Sequence, residues 1–153
     1  MAHSPIRQPY TSPSVHGESH AAELCAIILV VERDPHVRDL EAYFLHEAGF
    51  VVEFAPDGHA ALALARRLVP DIVITEILVP RMDGLALCRA LKGDAATAHV
   101  RVLVFSILAA AARAREAGAD AFLMKPLAER RLVDTVRELV GGGATKVKLV
   151  ESE

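Results

Sequence analysis

Several charged and polar residues directly follow the apolar runs of this sequence. Glu76 ends the β-branched run Ile72–Ile74, within the segment DIVITEILVPRMDG. An isolated glutamate at this place would usually be a solvated acid. Other segments end in comparable side chains, namely Glu32, Arg33, Asp34, Ser106 and Lys125. Converging acids can hold a hard dication, and a lysine beside a hydroxyl can bind anionic oxygens.

The elements that would position these residues alternate regularly along the chain. Short apolar runs predict strands over 26–31, 50–55, 72–76, 101–106 and 121–124. Apolar residues at helical spacing predict helices over about 35–48, 59–69, 85–92, 109–117 and 128–140. Asp34 followed by Pro35 is a typical helix start, and Asp57 is a candidate cap for the second helix. In the first helix, the predicted buried face consists of Val37, Leu40, Phe44 and Leu45.

Five strand–helix repeats with short connections predict an α/β fold with a parallel sheet. At this size they fit a flavodoxin-like three-layer sandwich, (βα)5, with strand order 2-1-3-4-5. Strands 1 and 3 would then be neighbours, and functional residues are expected outside the carboxyl ends of the strands. Glu32, Arg33, Asp34, Glu76, Ser106 and Lys125 would therefore converge at one edge of the sheet.

Composition limits the function classes and the domain count. The chain has 153 residues, 52% of them hydrophobic and 24% charged, which fits one globular domain. A net charge of −3 predicts no nucleic-acid or anionic-membrane partner, and no apolar run reaches bilayer length. We expect tails over 1–24 and 141–153 around a domain at 25–140, and a cytoplasmic location. Cys25 and Cys88 lack metal-ligand spacing and are expected to be free thiols.

Four segments in order resemble the receiver domain of two-component response regulators: VVERDP, PRMDG, VLVFS and GADAFLMKP. The resemblance spans roughly residues 26–140. It implies that an acid after strand 3 accepts a phosphoryl group, that paired acids after strand 1 hold Mg²⁺, and that a hydroxyl and a lysine contact phosphoryl oxygens. Ser106 and Lys125 match those last two roles, and the bond from Lys125 to Pro126 would be cis. Ser106 would also be the switch hydroxyl, and Phe122 stands at the switch aromatic, with a core role as the alternative.

Two positions depart from the family pattern. Glu76 stands where the phosphorylated Asp would be, and Arg33 stands where the second acid would bind the metal. Arginine cannot ligate a cation, so we expect no Mg²⁺ and no other cofactor. We hypothesise that Arg33 replaces the metal charge by a bidentate pair with Glu76 or Glu32, that Lys125 also reaches Glu76, and that the site is locked, in an active-like state. The alternative is that Arg33 points to solvent.

The resemblance and these two departures predict a stand-alone, atypical receiver domain that is not an enzyme, does not depend on phosphorylation and acts by protein–protein interaction. Its expected partners are signalling proteins, among them a histidine kinase or a downstream effector, or a second copy of the chain. One alternative is a working Mg²⁺-dependent receiver, a weak enzyme that catalyses its own phosphorylation and dephosphorylation, with Glu32, Asp34 and Glu76 as metal ligands and Arg33 turned away. A flavodoxin-like small-ligand binder is a weaker alternative, because the loop ERDPH has no glycines to approach a phosphate. A third is a receiver fragment of a longer kinase or regulator.

Overall fold

A computed structural model describes residues 26–141 and 148–149 of the chain. The predicted tail over 1–24 lies outside the described residues, as does most of the tail predicted over 141–153. The strands are β1 (Ile27–Val31), β2 (Val51–Ala55), β3 (Ile72–Thr75), β4 (Arg101–Ser106), β5 (Ala121–Met124) and β6 (Lys148–Leu149). The helices are α1 (Pro35–Glu47), α2 (Gly58–Leu68), α3 (Gly84–Lys92), α4 (Ala111–Glu116) and α5 (Glu129–Gly141).

All strands of the described sheet pair in parallel, in the order β2-β1-β3-β4-β5-β6. The predicted flavodoxin-like fold and its order 2-1-3-4-5 are confirmed. The two-residue strand β6 is an addition, because it pairs with Ala121 and Phe122 at the β5 edge. Strands β3 and β4 are buried along almost their whole length, as expected for a parallel sheet that is covered on both faces.

Helices cover both faces of the sheet and form two apolar cores. One core joins α2, α3 and α4 to the sheet, through residues such as Ala65, Leu87 and Ala114. The other joins α1 and α5 to the opposite face, through Leu45 and Val136 among others. Three layers result, and the carboxyl ends of the strands all open on the same edge.

The helix that follows the central strand begins where the sequence places a cap and a glycine. The Asp83 carboxylate accepts a hydrogen bond from the backbone N–H of Ala86, which satisfies a free donor in the first turn of α3. A Cβ at Gly84 would collide with the carbonyl oxygen of Glu76. This glycine therefore lets α3 start directly against the end of β3, close to the predicted site. The predicted caps Asp34 and Asp57 likewise accept backbone hydrogen bonds, from His36 and Ala60.

The predicted buried face of α1 is partly wrong. Leu40 is 44% exposed, whereas Glu41 is 1% exposed. The physical reason is the helical period, because Val37, Glu41 and Leu45 follow one another at four-residue steps on the side that faces the sheet. Glu41 was not assigned to the core because it is a polar residue, although its position in the helix is a buried one.

No helix among the described residues is long and apolar enough to cross a membrane.

Candidate functional site

Glu76 lies at the centre of the edge where the strands end, and it is 4% exposed. Its Oε2 accepts hydrogen bonds from the backbone N–H of Ile77 at 2.6 Å and of Leu78 at 3.2 Å. The hydroxyl of Ser106, at the end of β4, donates a short hydrogen bond to the same oxygen. The other oxygen, Oε1, accepts from the N–H of Ile107 at 3.3 Å. Both carboxylate oxygens are therefore engaged by the protein itself.

Lys125 joins the ends of β1 and β3. Its Nζ lies 2.9 Å from Oε1 of Glu32 and 3.0 Å from Oε1 of Glu76. The ammonium group also stands over the ring of Phe105, 5.4 Å from its centroid. The Lys125 side chain is 11% exposed, so both ion pairs are largely removed from water. The predicted reach of Lys125 to Glu76 is thus present, and the peptide bond from Lys125 to Pro126 is cis.

The two partners shift each other's pKa in opposite directions. Burial alone would raise the pKa of Glu76, but hydrogen bonds from Ser106, Lys125 and the Leu78 N–H, with the charge of Lys125, lower it below the ordinary value. Burial alone would lower the pKa of Lys125, but hydrogen bonds and charges from Glu32 and Glu76 raise it. Both groups are therefore charged at neutral pH, and each holds the other in that state.

The predicted pair between Arg33 and Glu76 or Glu32 is wrong. Arg33 is exposed, and it forms no salt bridge with any carboxylate in the described part of the chain. Lys125 supplies the counter-charge instead, because it directly follows the buried strand β5 and so lies at the same edge of the sheet. Arg33 follows Glu32 at the start of the loop before α1, where its guanidinium can remain hydrated without losing a partner.

The remaining acids of the edge do not converge as metal ligands. Oε1 of Glu32 binds Lys125, and its Oε2 accepts the backbone N–H of Asp34 at 3.1 Å. Asp34 is exposed and caps α1 by accepting the His36 N–H at 2.9 Å. Within residues 26–141, no group of three or more His, Cys, Asp or Glu side chains is placed to hold a metal ion. Arg33 stands where the family has a second metal-binding acid, and Glu32 and Glu76 already pair with Lys125, so the residues present do not fit Mg²⁺.

Two further features complete the edge. Phe122, at the predicted switch position, is fully buried in the core between β5 and the α2–α4 layer. Ser106 is also fully buried, and its oxygen accepts the backbone N–H of Leu108 at 3.1 Å while donating to Glu76. The exposed apolar residues Leu78 and Ile107 line the mouth of the cleft, at 43% and 60% exposure.

Sequence reasoning missed Glu41, which lies beneath this edge. The charges of Glu32, Lys125 and Glu76 act on its buried carboxyl group. The available signal was its place four residues after Val37 and four before Leu45, on the buried face of α1.

Comparison with known proteins agrees with this fold. Residues 28–137 match the response regulator receiver domain. The chain belongs to this family. A receiver domain of this kind is the signal-receiving part of two-component response regulators, as the sequence motifs indicated.

Individual relatives are longer than this receiver domain. It is similar to the response regulator PleD of Caulobacter vibrioides, with 38% identity over 130 residues that cover 83% of this chain and 27% of PleD. It is similar to the DNA-binding dual master transcriptional regulator RpaA of Synechocystis, with 34% identity over 116 residues that cover 74% of this chain and 48% of RpaA. The chain thus spans less than half the length of these curated relatives.

Among solved structures, the receiver domain resembles the signal receiver domain of a histidine kinase from Syntrophus aciditrophicus. The TM-score is 0.72 and the identity 32%, with 82% of this chain and 98% of that chain covered.

Proposed function

We propose that this receiver domain acts in two-component signalling by protein–protein contact and does not itself accept a phosphoryl group. In this proposal it is not an enzyme and needs no metal. The finding that carries the proposal is the engagement of both Glu76 oxygens by Ser106, Lys125 and three backbone N–H groups.

Those donors are the ones that a phosphoryl group would need. By resemblance to the family, the hydroxyl of Ser106 and the ammonium of Lys125 would contact phosphoryl oxygens. Here the Glu76 carboxylate, one methylene longer than an aspartate, already takes both of them. A phosphoryl group on Glu76 would have to break these bonds and remain without a dication, because Arg33 stands in place of a metal-binding acid and Glu32 already pairs with Lys125.

The same contacts support an active-like state. In the family, the switch hydroxyl follows the phosphoryl group and the switch aromatic turns inward. Here Ser106 is bonded to Glu76 and Phe122 is fully buried. We infer that the Glu76 carboxylate takes the place of the modified side chain, so that the domain presents one constant surface to its partner. That partner is a signalling protein, such as a histidine kinase or an effector, or a second copy of the chain.

Phosphorylation is tested by intact-mass spectrometry after incubation with Mg²⁺ and acetyl phosphate. Four proteins are compared: the native chain, Glu76→Asp, Arg33→Asp and the double variant. We expect the native chain to keep its mass and the double variant to gain one phosphoryl group, because Glu76→Asp frees the donors and Arg33→Asp restores an acid for the metal. Glu53→Asp is the matched control, since Glu53 is an exposed glutamate on β2.

A native chain that gains a phosphoryl group at Glu76 would contradict the proposal and establish the working receiver instead. If neither the native chain nor the double variant is modified, Arg33 and Glu76 are not sufficient to explain the loss of phosphorylation. Peptide mapping after the reaction identifies the modified residue in either case.

A further inference from the structure

Glu41 is a buried acid that the proposed function does not use. It lies on α1 at 1% exposure. Within residues 26–141, its Oε1 is the one buried side-chain oxygen or nitrogen without a hydrogen-bond partner. Leaving such a polar atom unpaired is costly, and leaving it charged as well is far more costly. A glutamate at this place therefore calls for an explanation beyond packing.

The charges that act on Glu41 belong to residues at three strand ends. They are Glu32 after β1, Glu76 after β3 and Lys125 after β5. The buried residues of α5, which packs beside α1, carry no ionisable group: Leu132, Val133, Thr135, Val136 and Leu139. Phe50, directly before β2, and Val52 of β2 belong to the core on this face of the sheet and are apolar. The other ionisable residues of α1 are exposed or half-exposed: His36, Arg38, Asp39, Tyr43, His46 and Glu47.

The protonation state of Glu41 changes the balance of charge around Lys125. Burial and the negative charges of Glu32 and Glu76 raise the pKa of Glu41 well above its ordinary value, and the charge of Lys125 opposes them only in part. In the neutral form of Glu41, one ammonium group serves the two carboxylates of Glu32 and Glu76. In the ionised form, three buried carboxylates share that single ammonium group.

We propose that the protonation of Glu41 controls whether Lys125 stays on Glu76. When the buried carboxyl of Glu41 is neutral, Lys125 bridges Glu32 and Glu76 and the site is closed. When Glu41 loses its proton to solvent, its carboxylate competes for Lys125, the bond to Glu76 weakens and the edge opens. This inference rests on the closed site that underlies the proposed function, and it makes that site sensitive to pH.

The test is an NMR titration of the native chain. The side-chain carboxyl carbons of Glu41, Glu76 and the exposed Glu53 are followed with pH, together with the backbone N–H signals of Leu78 and Ile107, which report on Glu76. We expect Glu41 to titrate well above Glu53. The Leu78 and Ile107 signals should shift in the same pH step as Glu41.

Two variants separate this step from other titrations. Glu41→Gln keeps the shape and stays neutral, so the step at Leu78 and Ile107 should disappear. His36→Gln removes an exposed histidine of α1, and the step should persist. Glu41→Leu repeats the test should the amide variant not fold.

The proposal is overturned if Glu41 titrates together with Glu53. It is also overturned if Glu41 titrates at high pH while the Leu78 and Ile107 signals do not follow. These outcomes are independent of the mass measurement, which tests phosphorylation. A native chain that is phosphorylated yet shows the expected titration would overturn the proposed function alone.

Discussion

At the scale of single residues, the charge of Lys125 stabilises the whole edge. Two buried carboxylates, Glu32 and Glu76, depend on its one ammonium group. Lys125→Met would leave both carboxylates buried without a counter-ion, so we expect a loss of about 3 kcal/mol in the free energy of unfolding. Urea denaturation at neutral pH measures this loss.

Two comparisons make that measurement specific. Adding Glu76→Gln to Lys125→Met removes one uncompensated charge and should restore part of the stability. Arg66→Met removes an exposed pair with Asp94, in which the Arg66 side chain is 52% exposed, and should cost much less than Lys125→Met because solvent screens the pair. Equal losses in Lys125→Met and Arg66→Met would show that the buried ion pairs of Lys125 contribute no more to stability than an exposed pair.

The lowered pKa of Glu76 predicts an acid-dependent contribution to stability. A carboxyl whose folded pKa is below its unfolded pKa stabilises the fold above the unfolded value, about 4.3 for glutamate, and this contribution is lost as pH falls through the folded pKa. Ser106→Ala removes one of the hydrogen bonds that lower the pKa. We therefore expect the free energy of unfolding of Ser106→Ala to be about 1–3 kcal/mol lower than that of the native protein at neutral pH. The two values should converge as the pH falls.

Denaturation curves at a series of pH values check this expectation. Thr97→Val is a suitable control, because it removes a buried hydroxyl that donates to the Leu91 carbonyl and not to an acid. Its stability difference from the native chain should stay constant with pH. A constant difference for Ser106→Ala as well would mean that the Ser106 hydroxyl does not stabilise the ionised form of Glu76.

The sequence predicted the members of the edge but not all of their pairings. Glu32, Glu76, Ser106 and Lys125 meet because each follows a strand of one parallel sheet, which apolar runs can indicate. The choice between Lys125 and Arg33 as counter-charge could not be predicted, because it depends on side-chain direction at the end of β1. Sequence spacing fixes the place of a residue, whereas hydration and local backbone decide where a long cation points.

At the scale of elements, the end of α2 contains local strain. Val69 caps this helix with φ 48° and ψ 65°, a left-handed conformation that β-branched residues rarely adopt. Its side chain is 41% exposed, so little packing depends on it. Val69→Gly keeps the N–H bond to the Ala65 carbonyl and should raise the free energy of unfolding by about 1 kcal/mol.

Thermal or urea denaturation measures that gain, and Val69→Ala is its control. Alanine removes the same branched atoms but cannot adopt positive φ freely, so it should bring little of the stabilisation. If alanine and glycine stabilise the protein equally, the cause is the loss of the valine side chain and not backbone strain.

Helices were predicted well where apolar spacing and caps agreed, and less well elsewhere. Asp83 and Gly84 begin α3 within one residue of the prediction. The helix predicted over 109–117 is α4 at Ala111–Glu116, and the residue before it, Ala110, provides no side-chain cap. An alanine-rich stretch has high helix propensity throughout, so its ends depend on tertiary contacts that the sequence does not display.

At the scale of the whole molecule, the edge connects distant parts of the chain. The pair between Glu32 and Lys125 joins residues 93 positions apart, and the bond between Ser106 and Glu76 joins residues 30 apart. The network therefore links the ends of β1, β3, β4 and β5 across the sheet. Because all of these contacts form only in the folded state, anything that binds this edge should change the stability of the entire domain.

Mg²⁺ with acetyl phosphate should consequently leave the melting temperature of the native chain unchanged. A ligand that binds only the folded state raises stability by about 2.7 kcal/mol at a hundredfold excess over its Kd, and each kcal/mol raises Tm by several degrees in a domain of this size. Among the described residues, no three His, Cys, Asp or Glu side chains are placed to hold a metal ion, and the donors of the edge are already engaged by Glu76.

The Arg33→Asp/Glu76→Asp variant should instead melt at a higher temperature with Mg²⁺ and acetyl phosphate than without them. Differential scanning calorimetry in Ca²⁺-free buffer gives both melting temperatures. In the control, acetate replaces acetyl phosphate. A native chain stabilised as strongly as the double variant would mean that Lys125 releases Glu76 readily, and that the closed edge is one of two accessible states of the site.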